Sequence, residues 1–320
     1  MGNLSELEQA KKRLIMTGGK GGVGKTTCAS SIAVRMASQG KNTLIISSDP
    51  TPSLSDIFEQ KVGDKETRIK GIDGLTALEI TSEIVLKRWK KKFGPEIYEV
   101  ISSFLPVDYE IIDYIGTAPG IEEEYMLDFI MELVESGRYD IVVWDTAPAG
   151  HTLQLLDVPN LFITHLTAAM RVYMGFTDYM KKVQEVTKRA PSKRSIFDII
   201  KSWQDLSLRV VDFIKDPKNT EFVLVTIPEA LGVKQSERII QTFDKYGLSV
   251  NFLVVNNVIK TIDSKFLESR KKMQGEYLDY LYGQYSKRLN ILEIPLAPNE
   301  IKGLERIRQV SDILFLDQTD

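Results

Sequence analysis

The chain has a single cysteine, Cys28, in 320 residues. That excludes a disulfide framework and any thiolate cluster for zinc or iron–sulfur, and it fits a reducing compartment. An excess of basic charge is also missing: 41 Lys and Arg against 44 Asp and Glu leave a net charge of −3. No overall field holds a polyanion, so nucleic acid is not expected as a partner. Long apolar runs are absent, because charges interrupt every candidate within about ten residues, well short of the ~18 that a membrane span needs. The opening MGNLSELEQAKKR carries acidic residues and no apolar stretch. Neither a secretory signal nor a transit peptide is expected there, and the expected location is cytoplasmic. Internal repeats and low-complexity linkers are lacking too, which leaves no boundary between independent domains.

What is present is a 43% apolar content, enough to build one large α/β domain or two smaller ones. Short β-rich apolar runs alternate with helical patterns, which predicts βαβ units and a largely parallel sheet. Strands are expected at 13–17 (RLIMT), 43–47 (TLIIS), 75–80 (LTALEI), 139–144 (YDIVVW), 221–227 (EFVLVTI), 250–255 (VNFLVV) and 289–294 (LNILEI). Runs such as DIVVWD are apolar on both faces and belong at the centre of a sheet covered by helices on both sides. Two stretches, about 82–114 and 159–217, break the alternation with amphipathic helices such as IVLKRWKKKFG. The expected architecture is therefore α/β. A Rossmann-like, mostly parallel sheet of P-loop NTPase type comprises 1–81, 115–158 and 218–320, and an inserted helical subdomain comprises 82–114 and 159–217.

The stretch GGKGGVGKTT, Gly18 to Thr27, follows the first expected strand and opens a helix, which is the context a phosphate-binding loop requires. Glycines let the backbone wrap phosphates with its N–H groups pointing inward, and the helix N-terminus adds a positive dipole. The expected nucleotide contacts are Gly19, Lys20, Gly21, Gly22, Val23, Gly24, Lys25, Thr26 and Thr27. Lys25 reaches the β- and γ-phosphates, and the Thr26 hydroxyl ligates Mg²⁺. Lys20 is surplus to that scheme. An unpaired ammonium in the loop is costly if buried; as a solvated loop charge it needs no partner. Two aspartates end later strands, where open parallel sheets handle ligands. Asp49, in SSDPTPSLSD, suits orientation of the attacking water, and Asp145, in VVWDTAPAGHTLQLLDVP, suits the metal shell. Asp56 suits a helix cap.

The doubled lysine resembles the deviant P-loop class, which includes MinD, ParA, nitrogenase iron protein and the ArsA-type ATPases. SSDPTPSLSD and DTAPAGHTLQLLDVP resemble the switch I and switch II elements of the ArsA family. VVNN at 254–257, IPLAPNEIKGL at 294–304 and IPEALGVKQSERII at 227–240 resemble its adenine-side segments, so the likeness runs in order across nearly the whole chain. By length and single P-loop, the nearest branch is the guided-entry, or TRC, ATPases that target tail-anchored membrane proteins. The resemblance implies ATP and Mg²⁺ as ligands, a homodimer, tail-anchored clients and a membrane receptor. It also implies catalysis by Asp49 with Lys20 reaching across the dimer, and adenine contacts by Asn256 with Glu229 and Pro295 nearby. In LFITHLTAAMRVYMGFTDYMKKV, Leu166, Met170, Tyr173 and Met174 share a face, with Met180 following. That face suits either an adaptable client groove or ordinary core packing. His165 reads as structural, and His151 as part of switch II.

Departures from the family pattern are also visible. The zinc-binding Cys-x-x-Cys of the targeting branch is replaced by Ser264 and Leu267, so no shared zinc is expected. Pro52 and Ser53 stand where His and Asn are usual, and Ala149 replaces a threonine. Arsenite-pump ATPases are the main alternative; they use several cysteine thiolates and two fused halves, unlike this chain. Nitrogenase-type electron transfer lacks its thiolates here, and the acidic ending SDILFLDQTD is unlike the basic membrane helix of MinD. A nucleotide-switched chaperone of other apolar clients is the remaining reading.

Overall fold

A computed structural model describes residues 2–9, 11–48, 53–102, 106–117, 121–146 and 196–316. Eight strands form one sheet: β1 (Leu14–Gly19), β2 (Thr43–Ser47), β3 (Thr67–Arg68), β4 (Leu75–Glu79), β5 (Ile141–Asp145), β6 (Thr220–Thr226), β7 (Val250–Val258) and β8 (Asn290–Pro295). Their order is β3-β4-β2-β5-β1-β6-β7-β8, and every pairing is parallel except the antiparallel β3–β4 edge. Each residue of β1, β5 and β6 is buried, as a strand covered on both faces must be. The mostly parallel α/β sheet expected from the sequence is therefore present.

The strand ends differ from the sequence reading in an informative way. Gly18 and Gly19 read as loop residues, yet they pair with Leu224 and Val225 and extend β1. A Cβ on Gly19 would lie 2.2 Å from the Val225 carbonyl oxygen, so glycine is required there by close approach of the neighbouring strand. At the far side, β7 continues past Val255 through a register irregularity to Val258, with Asn257 at φ 60°. Asparagine tolerates that left-handed backbone, and Gln274 holds it in place. The Gln274 Nε2 donates to the Asn257 carbonyl at 3.0 Å, and its Oε1 accepts from the Ile259 N–H at 2.8 Å.

Helix α1 (Ser5–Gln9) precedes β1, and α2 (Lys25–Ser38) follows it. The apolar side of α2, with Cys28, Ala29, Ile32, Ala33 and Met36, is buried in the main core. Cys28 is fully buried, and desolvation, reinforced by the Asp145 carboxylate, pushes its thiol pKa well above the ordinary value. A thiol reagent at pH 8 is expected to label Cys28 stoichiometrically in denaturant and to less than about a tenth in the native protein. Fast native labelling would contradict this placement. Short helix α3 (Leu54–Ile57) follows β2, and α4 (Ser82–Ser102), α5 (Ile111–Gly116), α6 (Ile121–Glu135) and α7 (Ile196–Lys215) come between β4 and β6. The C-terminal half adds α8 (Ala230–Tyr246), α9 (Lys265–Tyr285) and α10 (Leu304–Phe315).

The chain divides into two compact units, one of Met1–Ser82, Ile130–Leu153 and Ile214–Asp320, the other of Glu83–Phe129 and Gln154–Phe213. The second takes in residues up to Phe129, where the sequence reading placed its first segment's end at 114. Within it, Tyr98 and Tyr109 pack edge to face at 5.1 Å, the Trp203 Nε1–H donates to Glu96 at 3.0 Å, and Lys92 pairs with the buried Asp128. Among the described residues, no helix is long and apolar enough to cross a membrane.

Candidate active site

The parallel strands point their C-terminal ends to one edge, and the polar groups of the site gather there. The loop after β1 enters α2 through Gly24, which has φ 97°. A side chain on Gly24 would be strained by that backbone and would place its Cβ 2.2 Å from the Asn256 Nδ2. Among the described residues, no side chain caps the start of α2. Its first-turn N–H groups are therefore left for a ligand, as an anion-binding helix end needs. Lys25 is 5% exposed, and its Nζ lies 3.5 Å from the carbonyl oxygen of Lys20. Lys20 is partly exposed and has no ion pair among the described residues.

The expected magnesium-side pair is brought together directly. The Thr26 hydroxyl donates to the Asp145 Oδ2 at 2.6 Å, and Asp145, fully buried, also lies within hydrogen-bond reach of the Thr17 hydroxyl at 3.3 Å and the Ser47 hydroxyl at 3.5 Å. With its proton directed at Asp145, the Thr26 oxygen keeps a lone pair for a metal. This all-oxygen set fits Mg²⁺, which takes one or two protein oxygens and completes its shell with phosphates and water. Thr146 fixes the adjoining backbone by donating its hydroxyl to the Thr17 carbonyl at 2.8 Å.

Asn256, at the end of β7, reaches past β6 to the loop, where its Nδ2 donates to the Val23 carbonyl at 2.9 Å. Its Oδ1 is buried without a hydrogen-bond partner among the described residues. An orphaned acceptor beside a phosphate loop suits a ligand that donates a hydrogen bond, as the exocyclic amino group of adenine does. Glu229 and Pro295 end the connections at β6 and β8 but make no hydrogen bond or ion pair to the loop among the described residues. Glu229 instead pairs with the Arg270 Nη2 at 2.5 Å, and Pro295 lies opposite Val258 in the β7–β8 register.

Several groups escaped the sequence reading. Thr17, Ser47 and Gln274 carry no motif, and Glu79 looked like the end of a strand. Glu79 is buried, and its Oε1 accepts from the backbone N–H groups of Ser53 at 2.7 Å and Leu54 at 2.6 Å. The one available signal was a carboxylate terminating an apolar parallel strand. Asp49, Pro52, Ala149, His151, His165 and the face of Leu166, Met170, Tyr173, Met174 and Met180 lie outside the described residues. At the zinc-pair positions, Ser264 caps α9, its Oγ accepting from the Leu267 N–H at 3.3 Å. Neither side chain offers a thiolate.

A sequence model of the family described as anion-transporting ATPase matches residues 12–316. The chain is 33% identical over 314 residues to a protein of Paramecium tetraurelia named ATPase ASNA1 homolog 1, covering 97% of this chain and 94% of that one. It is 32% identical over 310 residues to ATPase GET3A of Arabidopsis thaliana, covering 95% and 84%. It is 31% identical over 311 residues to the ATPase ASNA1 homolog of Dictyostelium discoideum, covering 97% and 91%.

Proposed function

The chain belongs to the ArsA-type anion-transporting ATPase family and hydrolyses ATP, and from that premise we propose that it is a Mg²⁺-dependent cytoplasmic homodimer that binds the apolar transmembrane segment of tail-anchored membrane proteins. The observation that carries the reading is the unequal pair of lysines in one loop. Lys25 is buried against the loop's own backbone, whereas Lys20 is partly exposed and has no ion pair among the described residues. The phosphates of a nucleotide held by a second copy supply one, which ties hydrolysis to pairing of subunits.

In this scheme Thr26 and Asp145 would hold Mg²⁺, which would supply neutralising charge for the phosphates. The chain's own residues do the positioning. The uncapped start of α2 and Lys25 hold the phosphates, Asp145 orients the Thr26 hydroxyl toward the metal, and Asn256 accepts a hydrogen bond from the base. Asp49 aligns the attacking water and Lys20 stabilises charge across the dimer. Glu229 and Pro295 flank the adenine side. Residues 82–114 and 159–217 form the client-binding subdomain, with Leu166, Met170, Tyr173, Met174 and Met180 in its groove. Two such subdomains make one groove that closes with ATP and opens after hydrolysis, releasing the client at a membrane receptor. The arsenite-pump reading finds little support, because Cys28 is the sole cysteine and its thiol is buried and hard to ionise.

Co-expression with a panel of C-terminal transmembrane segments tests the client. The expected result is a dissolved complex that ATP hydrolysis disrupts. Capture of none of the segments would sink the targeting reading, and capture of other apolar helices alone would favour a general chaperone.

A further inference from the structure

Glu79, the last residue of β4, is 7% exposed, and among the described residues its side-chain hydrogen bonds all go to the start of α3. The Oε1 accepts from the N–H groups of Ser53, Leu54 and Ser55 at 2.7, 2.6 and 3.4 Å, and the Oε2 accepts from the Ser55 hydroxyl at 2.7 Å. Ser53, the N-cap of α3, makes no side-chain capping bond of its own. A carboxylate from a separate strand therefore supplies the acceptors that the first turn lacks, and those bonds offset the cost of burying its charge.

The residues between β2 and α3 carry Asp49, and both ends of that segment are pinned close together. At the outgoing end, the Ser48 N–H donates to the Asp145 carbonyl at 3.2 Å. At the returning end, the Ser53 hydroxyl oxygen lies 3.5 Å from the Ser47 Oγ and 3.4 Å from the Thr26 Oγ1. The outgoing end is fixed by the sheet itself. The returning end is fixed against Thr26 through the N–H groups that Glu79 holds.

We propose that Glu79 is a positioning residue for ATP hydrolysis: its carboxylate latches the start of α3 and so holds Ser53, the described residue that follows Asp49 in the chain, against Thr26. It touches no reacting atom. Its contribution is to alignment, where a displacement of about 1 Å can cost on the order of 100-fold in rate. The latch rests on the assignment of Asp49 to the attacking water, and the test separates the two.

Glu79→Ala is expected to lower kcat at least about 10-fold while KM for ATP and the affinity for a fluorescent ATP analogue stay within about 3-fold, because the loop and Lys25 are untouched. Amide hydrogen exchange over 53–58 is expected to accelerate in Glu79→Ala without nucleotide, a readout independent of turnover. Glu79→Gln keeps an acceptor for the backbone N–H groups and can donate to the Ser55 Oγ, so it is expected to restore kcat to within about 3-fold of wild type. A kcat for Glu79→Ala within about 2-fold of wild type, or a loss confined to KM, overturns the latch. Equal inactivity of the Gln and Ala variants would place the charge itself in the chemistry and also overturns it. Should the Ala variant fail to fold, Glu79→Asp, which keeps the charge but draws the carboxylate back from the α3 N–H groups by one methylene, decides: a fall of about 3-fold or more in kcat at constant KM supports the latch, and an unchanged kcat overturns it. Asp49→Asn run alongside identifies which idea fails. If it is inactive while Glu79→Ala is fully active, only the latch is lost; if both are fully active, the Asp49 assignment falls too.

Discussion

Asp49→Asn is expected to lower kcat for ATP hydrolysis about 100-fold or more while Mg²⁺-ATP binding stays within about 3-fold. The substitution keeps the side chain's size and removes its charge, so it separates water activation from phosphate binding. Binding survives because the groups that hold the phosphates come from another segment. Lys25 is buried within its own loop, and Thr26 is anchored to Asp145 at 2.6 Å. Steady-state hydrolysis paired with equilibrium binding of a fluorescent ATP analogue measures both quantities. A fall in kcat of less than about 5-fold would remove Asp49 from the water-positioning role, and a matching loss of affinity would make it a binding residue instead.

Lys20→Ala is expected to be comparably damaging, and for a different reason. A cation placed on the transferring phosphoryl group in trans is worth roughly 10³ to 10⁵ in rate in other P-loop enzymes, so a loss of about 100-fold or more is expected here. Nucleotide affinity of an isolated subunit should change little, because Lys25 already lies inside the loop. Association of subunits in the presence of ATP should weaken, since the cross-subunit charge pair is gone. Sedimentation with a nonhydrolysable ATP analogue, set beside the hydrolysis assay, measures this. Full activity in a Lys20→Ala dimer would return Lys20 to the status of a solvated loop charge.

How much of this was legible in the sequence depended on whether a residue's partner lay nearby in the chain or only in the sheet. The seven expected strands are present because parallel strands covered on both faces write unbroken apolar runs, as IVVWD of β5 does. The eighth, Thr67–Arg68, is two polar residues on an antiparallel edge and carries no periodic signal. Glycine misled at the end of β1, where Gly18 and Gly19 look like loop but pair with β6. The P-loop was readable because its chemistry is local, with spacing that fixes both lysines and Thr26. Asp145 was readable from its place at the end of an apolar strand, and Asn256 followed from a motif of the resembled family. Ser47 and Thr17 were not readable, because each is a lone polar residue whose partner Asp145 arrives only when the order β2-β5-β1 places three strand ends side by side, and Glu79 was not, because its partners are backbone N–H groups at the start of α3. The pairing of Glu229 with Arg270 is likewise visible only in the fold.

The claim that hydrolysis belongs to a pair of subunits has a direct test in mixing two variants that are each inactive. A Lys20→Ala subunit retains Asp49, and an Asp49→Asn subunit retains Lys20, so a mixed dimer contains one site with Asp49 from its own chain and Lys20 from its partner. Random exchange gives about half mixed dimers with one working site in two, and so a recovery of about a quarter of wild-type activity is expected. Recovery to that level on mixing is the predicted result. Activity that stays at the sum of the two variants alone, in a sample shown to have exchanged subunits, would contradict it and would place Lys20's work within its own chain.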